Sequence, residues 1–92
     1  MNESSDRKVI LIAGAGRGSG PATARSLAAQ GHHVVLGGLG SRRMQGLVAE
    51  IRQAGGSAEW MVVDVDEPAG MGAFLAFGED VFKRVDVVIN KG

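Results

Sequence analysis

Apolar residues in this chain fall in short blocks punctuated by glycine, and the spacing inside the blocks switches between two periods. Val9-Ile10-Leu11-Ile12-Ala13 is a continuous apolar run, as expected of a parallel strand covered on both faces. From about Gly20 to Gln30 the spacing becomes helical: Ala24, Leu27 and Ala28 share a face, Pro21 suits the first turn, and Gly31 suits the left-handed position after the end. These apolar residues are mostly small, so this helix is expected to lie close to the sheet. His33 to Leu36 reads as a second strand, with Gly37-Gly38-Leu39-Gly40 as the loop behind it. Ser41 stands where an N-cap is wanted, and Met44, Leu47, Val48 and Ile51 then mark a second helix ending at Gly55-Gly56. Ala58 to Val63 is a third strand, closed by Asp64. Pro68 opens a third helix, with Met71, Phe74, Leu75, Val81 and Phe82 on its apolar positions. Gly70, Gly72 and Gly78 interrupt it, each weakening a helix by about 1 kcal/mol relative to alanine. Val85 to Ile89 is a fourth strand. Strands alternating with helices through short loops predict an α/β fold with a parallel sheet and right-handed crossovers.

Length and composition narrow the picture. Ninety-two residues with 45% apolar content suit one modest globular domain and argue against disorder. Ten basic residues balance ten acidic ones, so no overall field draws the chain to nucleic acid or to an anionic membrane surface. No apolar run approaches the roughly 20 residues of a membrane helix, and the opening MNESSDRK is polar, unlike a signal peptide. Cysteine is absent, which excludes disulfides and thiolate chemistry in these residues and suits a reducing, cytoplasmic setting. Residues 1–7 read as a flexible leader and 8–92 as the folded domain, with no repeat and no interdomain linker.

The candidate chemistry sits after the first strand, where Gly14, Gly16, Gly18 and Gly20 fall within seven residues. A buried strand, a glycine loop and a helix N-terminus in that order build a site for a phosphorylated ligand. Glycine lets the backbone approach the anion, and the first helical N–H groups lack intrahelical acceptors. Asp64 stands at the C-terminal edge of the sheet, where ligands bind in such folds. From Gly31 to Ala49 there is no Asp or Glu, while Arg42 and Arg43 lie close behind the second strand. A carboxylate there is the usual partner of the free ribose 2′-OH of NAD. His32-His33 does not read as a metal site, since neighbours on a strand point to opposite faces and no third ligand is evident. Trp60 and the methionines read as packing.

The register of the glycines is informative. G-x-G-x-x-G would demand glycine at Ser19, whereas G-x-x-x-G-x-G fits Gly14, Gly18 and Gly20, and no G-x-x-x-x-G-K-[ST] is present. With its preceding strand this loop resembles the cofactor loop of the short-chain dehydrogenases/reductases, with Ala13 where that family usually has Thr. The resemblance extends over nearly the whole chain. GHHVVLGG takes the place of the second strand, LVAEIRQAGGSAEWMVVDV that of the second helix and third strand, and VDVVINKG that of the strand leading into an Asn-Asn-Ala-Gly segment. Asp64 and Val65 match the pair beside the adenine ring, and Asn90 matches the first Asn, while Lys91 and Gly92 depart from the pattern.

The resemblance implies a three-layer Rossmann-type fold with strand order 3-2-1-4 and helices on both faces. It also implies binding of a nicotinamide dinucleotide for hydride transfer between an alcohol and a carbonyl. In that family a basic residue before the second loop glycine often meets the 2′-phosphate of NADP, the place Arg17 occupies. The expected cofactor is therefore NADP in preference to NAD, with Gly14, Gly16, Arg17, Gly18, Ser19, Gly20, Arg42, Asp64, Val65 and Asn90 as cofactor-binding residues. The family's catalytic Ser, Tyr and Lys all lie beyond the fourth strand, and this chain contains no tyrosine. No catalytic residue and no metal ligand is therefore assigned. The chain is expected to be the cofactor-binding half of such an enzyme, truncated and inactive alone, with an alcohol or carbonyl substrate only where the other half is present. Val87 and Ile89 on the fourth strand are expected to lack cover and to favour self-association. Two other readings stand beside this one: a non-catalytic nucleotide-binding or regulatory module, and a methyltransferase-like domain binding S-adenosylmethionine, which usually wants an acidic residue after the second strand.

Overall fold

The computed structural model describes residues 7–91, so Gly92 and all of the expected leader except Arg7 lie outside the described residues. The elements in chain order are β1 (Val9–Ala13), α1 (Gly20–Ala29), β2 (His33–Gly38), α2 (Ser41–Gln53), β3 (Ser57–Val62), α3 (Pro68–Phe82) and β4 (Val87–Asn90). The four strands form one parallel sheet in the order β3-β2-β1-β4. Ile12 pairs with Leu36 on one side and Ile89 on the other, which puts the C-terminal ends of β1, β2 and β4 level.

The two faces of the sheet carry separate cores. Ile10, Ile12, Val34, Leu36 and Ala58 pack under Ala24 and Ala28 of α1 and Met44, Leu47, Val48 and Ile51 of α2. On the other face Val9, Leu11, Ala13 and Val35 pack under Phe74 of α3. The continuous apolar run of β1 is thus explained, because all five of its residues are buried, between helices on both sides. Full burial of a side chain such as Leu11, Ile12, Leu36 or Phe74 contributes about 1.5–3 kcal/mol.

The ends of the elements differ from the sequence reading in ways that have local causes. β2 runs on through Gly37 and Gly38, which pair with Met61 and Val62 and are therefore strand and not loop. The helix after them is capped by Gly40, not Ser41. The Gly40 carbonyl accepts the Met44 N–H at 3.0 Å, so Ser41 is already helical and no side chain caps this end. α1 stops at Ala29, where His32 N–H donates to the Leu27 carbonyl and Gly31 takes φ 98°, a Schellman end that glycine permits. β3 begins and ends one residue early. β4 begins at Val87, because Val85 turns into the core beside α3. In α3, Gly70 and Gly78 are close-packed: a Cβ at Gly70 would overlap the Asp64 carbonyl, and one at Gly78 would stand 2.8 Å from Leu11 Cδ1. Their helix-weakening effect is offset by letting the helix approach the sheet. On β4 Val87, Val88 and Asn90 are exposed, the two valines at 36% and 42%, whereas Ile89 packs against the core under α1 and α2.

Candidate functional site

The C-terminal ends of β1, β2 and β3 open into a cavity of about 500 Å³. Its floor is backbone. Gly14 and Ala15 both donate their N–H to the Gly37 carbonyl, at 2.8 and 3.2 Å, which ties the start of the glycine loop to the end of β2. Gly14 and Gly18 take φ 76° and 57°, values that a side chain would strain. At Gly20 a Cβ would stand 2.8 Å from Ala15 Cα, so glycine is what lets α1 start against the loop. Gly14 lines the cavity, and Gly18 and Gly20 carry the loop from its rim to the N-terminus of α1, the kind of place where a pyrophosphate would be held.

Both signs of charge line the cavity: Arg17 from the loop, Arg42 and Arg43 from the first turn of α2, and Asp64 and Asp66 from the segment after β3. All three arginines are exposed, and the side chains of Arg17 and Arg42 have no partner among the described residues. Arg43 Nη1 donates to the Gly16 carbonyl oxygen at 3.4 Å. Asp64 is held by its own turn, its Oδ1 accepting the Asp66 N–H at 3.0 Å and its carbonyl the Glu67 N–H at 3.2 Å. Val65 beside it is buried against the α3 core.

Of the residues expected from the sequence, Gly14, Gly16, Arg17, Arg42, Asp64 and Val65 line this cavity together. Gly18, Ser19 and Gly20 do not line it; they carry the chain from its rim into α1, and Ser19 caps that helix through its carbonyl, which accepts the Thr23 N–H at 3.0 Å. Asn90 ends β4 opposite Ala13, outside the cavity lining. Sequence reasoning missed Leu39, which lines the cavity and is 70% exposed, an apolar surface beside the arginines. Its signal was a single large apolar residue inside a run of glycines. Asp66 was missed too; its signal was a second carboxylate two residues after Asp64. The S-adenosylmethionine reading draws nothing from the end of β2, where Gly38, Leu39 and Gly40 supply no carboxylate to the cavity.

The histidines lie at the opposite ends of the strands. His32 Nδ1 accepts the Lys8 N–H at 3.1 Å, and His33 Nδ1 is 2.7 Å from Ser57 Oγ with its ring stacked on Phe82. Partial burial, with the nearby charges of Arg7, Arg84 and His32, holds the His33 pKa below the ordinary histidine value. At the same end the Arg84 guanidinium, and then the Val9 N–H, bond the Asp86 carboxylate and lower its pKa. Among the described residues no group of three or more His, Cys, Asp or Glu is placed to hold a metal ion. No helix among them is long and apolar enough to cross a membrane.

Comparison with known proteins agrees with this fold. The family model described as short chain dehydrogenase matches residues 8–92. The short-chain reductase protein NovJ of Streptomyces niveus is 38% identical over 86 residues, covering 94% of this chain and 33% of that protein. A solved structure of an actinorhodin polyketide ketoreductase variant with NADPH matches with TM-score 0.85 at 30% identity, over 94% of this chain and 33% of that one. An NADH-dependent reductase complexed with NAD matches with TM-score 0.83 at 31% identity, over 98% of this chain and 38% of that one. The chain spans about a third of the length of the curated relatives it matches. With its sheet order, its glycine cradle and this match over nearly all of its length, the chain belongs to the short-chain dehydrogenase/reductase family of oxidoreductases.

Proposed function

We propose that these 92 residues bind a nicotinamide dinucleotide and take NADP(H) in preference to NAD(H). The observation that carries this reading is the placing of Arg17 and Arg42 beside a β2 end with no carboxylate, Gly38-Leu39-Gly40. Both cofactors share the pyrophosphate, for which Gly14, Gly16, Gly18, Ser19 and Gly20 with the start of α1 provide the cradle. They differ by the phosphate on the adenosine ribose. A guanidinium can hold that phosphate with two hydrogen bonds, and Arg17 and Arg42 supply two guanidinium groups there. Asp64 and Val65 face the adenine end, and Asn90 the ribose on the nicotinamide side.

A bound nicotinamide supplies or accepts the hydride. The family's acid/base is a tyrosine, and these residues contain none, so the chain is read as a cofactor-binding part without turnover of its own. Incubation with NADPH and a panel of carbonyl compounds is expected to give no protein-dependent oxidation. Sustained turnover matched to alcohol product would overturn this part of the reading. The lack of tyrosine also favours a second reading, a nucleotide-binding or regulatory module without catalysis, and a turnover-free binder meets both. Absence of cysteine is in keeping with a cytoplasmic setting.

Calorimetry with NADPH and NADH tests the preference. A charge-assisted contact of about 1.5–3 kcal/mol corresponds to roughly 10- to 150-fold in affinity. NADPH is expected to bind more tightly by that order, more so at low salt, and Arg17→Ala to weaken NADPH alone. Equal affinities, or an Arg17→Ala change that weakens both alike, would refute the preference.

The other partner in this reading is a second copy. β4 bonds to β1 on one side and has no further strand among the described residues, while Val87 and Val88 are exposed. Such an edge recruits strands from other molecules, and charge blocks it. Sedimentation of the 92-residue chain is expected to show association that Val88→Lys reduces; a monomer at high concentration would exclude it.

A further inference from the structure

Of the three arginines at the cavity, Arg43 alone has its guanidinium engaged among the described residues, on the Gly16 carbonyl. The Gly16 carbonyl and the Arg17 N–H belong to one planar trans peptide and point to opposite sides. That N–H donates to the Gly14 carbonyl at 3.4 Å. The Gly16–Arg17 peptide is therefore held at both ends, by Gly14 within the loop and by Arg43 from α2. The two segments also touch through backbone, since a Cβ at Gly16 would stand 3.6 Å from Gly40 Cα. A cation in the first turn of a helix opposes the helix dipole, so the place Arg43 occupies is not favoured by α2 itself.

We infer that Arg43 is a positioning residue that straps the glycine loop into its binding shape, and that it is not a ligand of the 2′-phosphate. The inference rests on the dinucleotide reading above and assigns different work to neighbouring arginines: Arg17 and Arg42 discriminate between the cofactors, and Arg43 prepares the cradle both cofactors use. A loop ordered beforehand loses less entropy on binding. Loss of the strap therefore weakens both cofactors by one factor and leaves their ratio unchanged.

The test compares Arg43→Ala, Arg43→Lys, Arg42→Ala and wild type in calorimetry with NADPH and NADH, and in amide hydrogen exchange without cofactor. Arg43→Ala is expected to weaken both cofactors equally, by about 3- to 10-fold for one hydrogen bond. It should also speed exchange at the Arg17 and Gly20 amides, which bond within the loop. Arg43→Lys, which keeps a donor for the Gly16 carbonyl, should recover both properties, and Arg42→Ala should leave the loop exchange at the wild-type rate. A loss confined to NADPH in Arg43→Ala would make Arg43 a phosphate ligand and overturn the inference. Unchanged loop exchange in Arg43→Ala would overturn it too. If wild type binds neither dinucleotide, the functional reading fails, and the exchange comparison by itself still upholds or overturns the strap.

Discussion

Gly37 leaves the space that the ring of Phe74 fills. A Cβ at Gly37 would stand 2.7 Å from both Cε1 and Cζ of that fully buried ring. The relationship joins α3 to the middle of the sheet and also bears on the cavity, because the Gly37 carbonyl receives the N–H groups of Gly14 and Ala15. Gly37→Ala is expected to cost about 1–3 kcal/mol by overpacking, read from urea unfolding. Phe74→Leu shortens the ring side of the contact, so the double variant should lose less than the sum of the two single losses. Strict additivity would show that the two residues do not share this space.

Two glycines of α3 should respond to the same substitution with opposite signs. At Gly70 a Cβ would overlap the Asp64 carbonyl, so Gly70→Ala must move either the helix or the cavity wall that carries Asp64. It is expected to destabilise the chain by about 1–3 kcal/mol and to weaken dinucleotide binding. Gly72 is exposed with nothing within 4 Å of the same point. Gly72→Ala should stabilise by about 0.5–1 kcal/mol through helix propensity, with no effect on binding. Thermal unfolding of both variants checks the contrast, and like effects from the two would refute it.

His33 makes stability depend on pH near neutrality. Its folded pKa lies below the ordinary histidine value of 6.5, first through burial and then through Arg7, Arg84 and His32. Between the folded and unfolded values the unfolded chain binds more protons, so stability is complete above about pH 6.5 and falls as the pH drops through that window. His33→Phe keeps a ring against Phe82 and removes the titration. The urea midpoint of wild type should fall from pH 7 to pH 5 more steeply than that of the variant; parallel profiles would assign the dependence to other groups. Asp86, held on Arg84 and the Val9 N–H, adds a second loss at more acidic pH, as its carboxylate protonates below its ordinary value of 3.8.

The chain's own pattern carried the existence and type of its elements, which depend mainly on neighbours along the chain, though not where each element ends. The run from Val9 to Ala13, the helical spacing of Met44, Leu47, Val48 and Ile51, and the glycines at 14, 18 and 20 are local patterns. Backbone periodicity and turn geometry turn such patterns into elements with little help from elsewhere, and family likeness ordered them into the sheet β3-β2-β1-β4. Tertiary structure decided what depends on residues far apart in the chain. Gly37 and Gly38 look like loop until β3 pairs with them and Phe74 needs the room. Gly70 and Gly78 look like helix breakers until Asp64 and Leu11 press against them. Arg42 and Arg43 are adjacent and alike in sequence, yet it is Arg43 that reaches the Gly16 carbonyl 27 residues away. Leu39 joins the site because the end of β2 stops level with β1 and β3. Periodicity records which side of an element is apolar, but contact distances across the fold are set by how the layers pack.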